Sequence, residues 1–405
     1  MNYYFRFTFW ALVLYIFIFQ PPVIPKLAYL GVQLFFVLLF LLLFGRRIFN
    51  FLLIFKWEFS LLFIVLIVVC FRDGMTGEVV YLDRFFGWTF QSFVVSSIII
   101  LIYEDGLYKC RVKPGFEKAV YLAILLASFV TLALYFIPPL DEFYESIQLD
   151  AYYEIYSAFD KRYRAYGVAE NLTFTYAFVL GLGAGLSLIY ARFNLAYMLF
   201  VPILVFGVSV NARIGFVGFF IIFLYLLFLG GLRYKVLIVS FSALSSVVFL
   251  YFGQEFLSEN EWSFGFFIAV VDFLVHGLGG DNIVSNLISN HIVVPSTSLA
   301  ILFGTGVSVY GGSELGNSDI GYIIQLTYGG LFFLISLFSL VVYMIIRLFN
   351  VLGWRHWYSW FFPISIAVLN FKGFVFAMTP GGRVLILLYL FYVSNVVRRK
   401  FYSSN

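Results

Sequence analysis

Residues 195–230 read LAYMLFVPILVFGVSVNARIGFVGFFIIFLYLLFLG and decide the fold class. Two apolar runs, Leu195–Val210 and Ile214–Gly230, are separated only by Asn211, Ala212 and Arg213. Each run is close to the ~20 apolar residues that an α-helix needs to cross a bilayer, and the strand-like alternation of polar and apolar residues is absent. The stretch therefore predicts two membrane-spanning helices joined by a tight turn.

The composition of the whole chain agrees with this prediction. Of 405 residues, 63% are hydrophobic and only 11% are charged, and the mean hydropathy is +0.99. Soluble domains are about half apolar and about one quarter charged, so a soluble fold is excluded. The formal net charge of +4 is spread over many short loops, so nucleic acid is not expected as a partner. We predict an all-α, polytopic transmembrane helix bundle.

About twelve spans are predicted within a single integral membrane domain, residues 1–405. They are Phe5–Gln20, Leu27–Phe44, Phe51–Phe71, Phe85–Tyr103, Ala119–Ile137, Val168–Tyr190, Leu195–Val210, Ile214–Gly230, Val236–Phe252, Ile320–Ile346, Trp357–Phe371 and Val384–Val397. The first run ends in Pro21-Pro22 without a small-residue cleavage site, so we interpret it as an uncleaved span.

Basic residues set the predicted orientation. With a cytoplasmic N-terminus, most lysines and arginines fall on the cytoplasmic side, as the positive-inside rule requires. Both termini are then cytoplasmic, in a bacterial inner membrane. The cations left outside are Lys26, Arg72, Arg84, Lys161, Arg162, Arg164, Arg213, Lys372 and Arg383.

Two segments are too long and too polar to be simple turns, and both are predicted on the periplasmic or extracellular side. The first, residues 138–167, is acid-rich and then changes sign at Lys161. The second, residues 253–319, contains seven acids and no lysine or arginine. Its apolar stretches are candidates for interfacial helices. Because long connections are uncommon unless they are functional, we expect the site in these loops.

Two arginines are the main candidates for anion binding. Arg213 lies in the tight outer turn and is either a surface arginine that reaches water or a planar fork that binds phosphate oxygens. Arg164 follows Arg162 and Tyr163 in a basic cluster, which either pairs with Asp160 or holds a pyrophosphate head group. Arg383, which opens the last span, is a weaker candidate for the same chemistry.

Two carboxylates of the second loop are candidates for a general base. Asp319 either caps the following helix or removes a proton from a sugar hydroxyl, and Glu314 competes for that second role. The three histidines and the cysteines Cys70 and Cys110 lack metal-ligand spacing, so we expect neither a metal site nor a disulfide.

Three passages together resemble the O-antigen polymerase and ligase superfamily, and in particular its polymerase branch. They are Arg164–Asn171, Ser209–Gly215, and Leu302–Gly306 with Asn317–Tyr322 and Tyr328–Gly330, in roughly the second half of the chain. The chain has Ser318-Asp319 where a ligase is expected to have a His-Asn pair, and Ala212 replaces the usual small hydroxyl residue. The first departure favours a polymerase over a ligase.

The resemblance implies a GT-C-like glycosyltransferase that joins oligosaccharide repeat units linked to undecaprenyl pyrophosphate, without a metal or other cofactor. Arg164 and Arg213 would hold the leaving pyrophosphate, and Asp319 would take the acceptor's proton. Arg162, Tyr163, Glu314 and Arg383 would help to bind the substrate. Membrane lipids, a chain-length regulator and a flippase would be its partners. Two alternatives stay open, an O-antigen ligase and a flippase or other transporter of lipid-linked oligosaccharides.

Overall fold

The computed structural model describes most of the chain as helices and short connections. The residues that it describes are 3–77, 81–108, 115–148, 167–169, 174–212, 214–232, 234–236, 239, 295, 297–307, 318, 320–373 and 375–403. Within these residues there is no strand, so the all-α prediction is confirmed for them.

Fourteen helices are numbered here in chain order. They are α1 (Tyr3–Phe19), α2 (Lys26–Ile54), α3 (Lys56–Thr76), α4 (Leu82–Thr89), α5 (Ser96–Tyr108), α6 (Phe116–Phe136), α7 (Pro138–Ile147), α8 (Phe174–Ala191), α9 (Phe200–Ser209), α10 (Gly215–Leu229), α11 (Ser298–Phe303), α12 (Gly321–Leu352), α13 (Trp357–Lys372) and α14 (Pro380–Ser403). A π-helical turn, Phe90–Val95, joins α4 to α5, and a 3₁₀ turn, Leu195–Leu199, precedes α9.

Six stretches of these helices are long and apolar enough to cross a membrane. They are Ala28–Ile54, Leu82–Tyr103, Phe116–Phe136, Phe174–Ala191, Gly321–Leu352 and Pro380–Arg398. Three shorter apolar stretches are Phe7–Phe19, Leu195–Ser209 and Gly215–Leu229. The chain is therefore a helical protein of the multi-pass membrane type. The number of twelve spans stays a prediction, and the span Val236–Phe252 lies almost wholly outside the described residues.

Helices α3 and α12 are joined near both of their ends. Near one end, Arg72 of α3 donates to the carbonyl of Tyr328 in α12, and Asp73 accepts from the hydroxyl of the same tyrosine. Near the other, Glu58 of α3 forms an ion pair with Arg347 of α12. We call these two ends of the bundle the Arg72 end and the Glu58 end.

Helix α14 runs between the same two ends. Near its start, Arg383 Nη1 donates to the carbonyl of Phe17, close to the end of α1. The hydroxyl of Tyr389, further along α14, donates to Glu58. Arg72 and Arg383, predicted to share the outer face, thus lie at one end, and Arg347, predicted on the cytoplasmic face, lies at the other. Which end faces outward stays a prediction.

Two elements differ from the expectation. Helix α2 was expected to end at Phe44, but it kinks there (φ −135°, ψ 23°) and continues to Ile54, because the residues after Arg47 are apolar and favour a helix. In the first predicted loop, Pro138–Ile147 is helix α7, with proline at its start and Asp141 in its first turn, which are both favourable there. The rest of that loop lies largely outside the described residues.

Helices α8 and α10 pack through their backbones because glycines line the contact. A Cβ atom added at Gly181 would collide with the carbonyl oxygen of Gly215. One added at Gly218 would lie 2.6 Å from the carbonyl oxygen of Phe178. Small residues permit this approach between membrane helices. The contact joins the start of α10 to the first half of α8.

Replacing Gly181 with alanine should therefore destabilise the bundle. The added methyl group forces two backbones apart, which should cost about 1–3 kcal/mol. The matched control is Gly31→Ala in α2, where an added Cβ meets no atom within 4 Å. Unfolding of the purified protein in detergent should show a lower midpoint for Gly181→Ala and an unchanged or slightly higher one for Gly31→Ala. Equal midpoints for the two variants would contradict the close packing of α8 and α10.

Candidate functional site

Helix α12 is interrupted at the Arg72 end. Gly330 has φ +66° and ψ −166°, which breaks the helical path after its first turns. The short segment after α11 docks against this break. The amide of Thr305 donates to the carbonyl of Thr327 at 2.7 Å, and the amide of Gly306 donates to that of Tyr328 at 2.9 Å. Carbonyls near the break are therefore satisfied by the chain itself, as an apolar surrounding requires.

Two glycines make this docking possible. Gly304 has φ +75°, and a Cβ added to it would lie 2.6 Å from the amide nitrogen of Gly329. A Cβ added to Gly330 would collide with the backbone of Leu302 and Gly304. Two of the passages that carried the resemblance, Leu302–Gly306 and Tyr328–Gly330, thus pack directly on each other. Their contact was not evident from the sequence.

Arg72 and Asp73 hold this arrangement from the end of α3. Arg72 donates through Nη2 to the carbonyl of Gly304 at 2.9 Å and through Nε to that of Tyr328 at 3.2 Å. Asp73 is buried and accepts from the Tyr328 hydroxyl and from the amide of Leu82, the latter at 2.9 Å. The neighbouring residues Arg72 and Asp73 therefore join α3, α4, α12 and the docked segment.

Sequence reasoning treated Arg72 only as an outer cation and did not single out Asp73. The available signal was the adjacent Arg72-Asp73 pair at the end of an apolar run, where a paired charge is favoured over a lone one. Its partners could not be predicted, because Arg72 and Tyr328 are 256 positions apart.

Arg383 is fully buried in the first turn of α14, next to the connection from α13. Its guanidinium donates to the backbone carbonyls of Phe17, Met378 and Thr379 at 3.2–3.3 Å. These bonds give Arg383 a structural task, the attachment of this connection to α1. A contact with substrate stays a prediction for this residue.

The described neighbours of the three passages lie close together at the Arg72 end. A Cβ added at Gly373 would lie 2.7 Å from the ring of Phe174, which opens α8 a few residues after Asn171. A Cβ added at Gly321, the first residue of α12, would meet the carbonyl oxygen of Gly373. One added at Gly215 would lie 2.5 Å from the carbonyl oxygen of Ala177 in α8. The starts of α8, α10 and α12 therefore form one packed region.

This region also contains buried polar side chains. Gln325 of α12 and Asn370 of α13 form a reciprocal pair of amide hydrogen bonds at 2.7 and 3.1 Å. Four further buried polar atoms have no hydrogen-bond partner among the described residues: Gln20 Nε2, Thr175 Oγ1, Asn211 Oδ1 and Thr327 Oγ1. Buried polar atoms without partners are rare in folded proteins, so these four atoms distinguish this region of the bundle.

Most of the predicted site residues cannot be placed in this geometry. Arg162, Tyr163, Arg164, Arg213, Glu314 and Asp319 lie outside the described residues. Their roles stay predictions.

His356, at the Glu58 end, has a structural task. Burial lowers its pKa to about 4, so the imidazole is neutral at pH 7. Its Nδ1 then accepts from the amide of Tyr358 at 3.2 Å and caps α13. Among the described residues, no group of histidines, cysteines or carboxylates is arranged to hold a metal ion.

Comparison with known proteins adds no further information on the family. No protein-family model matches this chain, and neither a curated protein nor a solved structure matches it.

Replacing Gly330 with alanine should release the docked segment. The variant combines left-handed backbone strain with a collision against Leu302 and Gly304. Gly353→Ala is the matched control, because Gly353 has φ +77° and an added Cβ meets no atom within 4 Å. Strain alone should cost about 1–2 kcal/mol, and the collision about 1–3 kcal/mol more. Unfolding in detergent measures both variants, and equal losses would contradict the docking of residues 302–306.

Proposed function

We propose that this chain is a polysaccharide polymerase of the inner membrane that joins repeat units linked to undecaprenyl pyrophosphate. The Arg72 end would face the periplasm, and both termini would lie in the cytoplasm. The observation that carries the proposal is the packing of the starts of α8, α10 and α12 in one region. Arg213 precedes the first residue of α10 by two positions, and Asp319 precedes that of α12 by two. Arg164 precedes the first residue of α8 by ten positions.

In this proposal the reaction transfers a glycosyl group between two lipid-linked substrates. An acceptor hydroxyl attacks the anomeric carbon of the donor, and the bond from that carbon to the pyrophosphate oxygen breaks. Asp319, or Glu314 in its place, receives the hydroxyl proton. The pyrophosphate leaves with the bonding electrons, and the guanidinium groups of Arg164 and Arg213 stabilise its charge. Arg162 and Tyr163 help to hold the substrate, and no metal ion takes part.

The Arg72-Asp73 pair and Arg383 support this site indirectly. Catalytic groups on loops need a rigid frame, because a displacement of about 1 Å can cost about a hundredfold in rate. Arg72 holds the segment after α11, which belongs to the second large loop. Arg383 fixes the connection that packs on the start of α8. These residues are positioning residues in the proposal, and they do not contact the reacting atoms.

One observation favours a flippase or transporter as the second candidate. Interrupted helices are typical of transporters, where freed backbone groups bind the substrate or an ion, and α12 is interrupted at Gly330. In this chain, however, the amides of Thr305 and Gly306 occupy the carbonyls of Thr327 and Tyr328. Because those carbonyls already accept hydrogen bonds from the protein, this interruption supports a transporter less strongly than a break with unoccupied carbonyls would. The ligase alternative is disfavoured by Ser318-Asp319.

Deleting the gene for this chain from its bacterium should distinguish a polymerase from the ligase and the flippase. A polymerase mutant should carry surface polysaccharide with single repeat units, because unpolymerised units are still exported and attached. Gel electrophoresis of the surface glycolipids measures the ladder, and a plasmid copy should restore it. A wild-type ladder in the deletion strain would reject the polymerase. A core without any repeat unit would favour the ligase or the flippase instead.

Arg213→Lys should abolish polymerisation while the protein still accumulates in the membrane. A lysine keeps the charge, but it cannot form the two parallel hydrogen bonds of a guanidinium with phosphate. The rate should fall about a hundredfold or more, as it does when a stabilising donor is lost from a transition state. Arg84→Lys is the matched control, since Arg84 lies over the ring of Tyr81 at the Arg72 end. A normal ladder in a strain that carries Arg213→Lys would contradict the role of Arg213 in phosphate binding.

A further inference from the structure

The Glu58 end carries a series of cations that lie over aromatic rings. We call four of the pairs that contain an exposed cation the cation-aromatic girdle. The girdle consists of Lys56 over Trp57 at 5.6 Å, Lys118 over Tyr190 at 5.8 Å, Arg192 over Phe193 at 5.7 Å and Arg355 over Trp354 at 5.1 Å. The pairs belong to α3, to the contact between α6 and α8, to the turn after α8 and to the connection between α12 and α13, so they follow the rim of the bundle.

Three of the aromatic rings face outward. Phe193 is 76% exposed, Trp57 is 57% exposed and Trp354 is 53% exposed. Exposed aromatic side chains next to cations are typical of the level at which a membrane protein meets lipid head groups. The positions of the rings therefore put the girdle at the membrane interface.

The acids described at this end do not neutralise the girdle. Glu58 binds Arg347 and the hydroxyl of Tyr389, and it is fully buried. Glu117 accepts from the hydroxyls of Tyr190 and Tyr392. Both carboxylates therefore point toward partners inside the bundle. Among the side chains described there, Lys56, Arg192 and Arg355 face outward with no carboxylate beside them, whereas Lys118 is next to Glu117 in the chain.

The geometry of these pairs suits phosphate oxygens. Cζ of Arg355 lies 5.1 Å and Cζ of Arg192 lies 5.7 Å from the centre of a ring, and such a cation-π contact does not use the N–H donors of the guanidinium. These donors match two oxygens of a phosphate. A zwitterionic lipid would bring its own ammonium group into the cationic rim, whereas an anionic lipid would not.

We propose that the cation-aromatic girdle binds the phosphate of anionic phospholipids in the leaflet at the Glu58 end, and that Arg192 and Arg355 are its main contacts. Arg192 also lies 5.7 Å from the ring of Tyr234, so two aromatic side chains orient its guanidinium. The Arg355 backbone carbonyl accepts from the Tyr225 hydroxyl, which holds its connection against α10. This binding is independent of the proposed polymerase activity.

The Arg72 end also has a cation-aromatic pair, but this pair is not part of the girdle. At the Arg72 end, Arg84 lies 5.8 Å from the ring of Tyr81, but Asp83 is its neighbour in the chain. Arg84 therefore provides a cation-aromatic pair outside the girdle. Its replacement tests whether the loss of any such pair has the same effect.

The test uses the full chain in nanodiscs of phosphatidylcholine with increasing amounts of phosphatidylglycerol. Bound phosphatidylglycerol is counted by native mass spectrometry, and the unfolding midpoint is recorded at each composition. The wild type should retain phosphatidylglycerol, and its midpoint should rise. The double variant Arg192→Gln/Arg355→Gln should bind this lipid about 30-fold more weakly at low salt, and Arg84→Gln should bind it as the wild type does.

Three results would overturn the proposal. The first is undiminished phosphatidylglycerol binding by the double variant, and the second is an equal loss in Arg84→Gln. The third is displacement of the lipid by millimolar inorganic phosphate, which would identify free phosphate as the ligand. If the double variant unfolds in phosphatidylcholine, Lys56→Gln/Lys118→Gln replaces it, because that variant leaves Arg192 and Arg355 in place. The lysine double variant should retain less phosphatidylglycerol than the wild type, and unchanged binding would count against the girdle.

Discussion

Backbone polar groups inside a membrane protein must find partners within the chain, and this constraint governs the arrangement of the Arg72 end. Helix α12 breaks at Gly330, and the amides of Thr305 and Gly306 occupy the neighbouring carbonyls. Arg72 then joins the docked segment to α12. A feature that would be unstable in lipid thus becomes the point at which distant parts of the chain meet.

The charged groups of the bundle have different tasks at its two ends. At the Arg72 end, Asp73 and Arg383 are buried and bind backbone groups, so their charges stabilise connections between helices. At the Glu58 end, exposed cations lie over rings such as Trp57 and Trp354. Buried charges need several hydrogen bonds, whereas exposed ones can remain in contact with water and head groups. Buried charges therefore stabilise connections between helices at the Arg72 end, whereas the Glu58 end also carries exposed cations.

The sequence pattern was sufficient to predict the features that depend on neighbouring residues in the chain. Apolar runs predicted the long apolar helices but not the polar helix α7, and the break in apolar character after Phe44 coincided with a real kink, although α2 continues to Ile54. Close packing at Gly181 depends on a distant partner, Gly215, which the structure identifies. The catalytic assignments to Arg164, Arg213 and Asp319 rest on the resemblance and on the packing around them, and the residues themselves lie outside the described part of the chain.

The sequence by itself determined that this is a helical membrane protein, because apolar composition and run length are properties of each segment alone. It also indicated that basic residues are distributed unequally between two faces. Only the tertiary structure decided that Leu302–Gly306 packs on Tyr328–Gly330, that Asp73 holds Tyr328, and that Arg383 is buried against α1. These contacts join residues far apart in the chain, and they depend on how whole helices pack, which no local periodicity records.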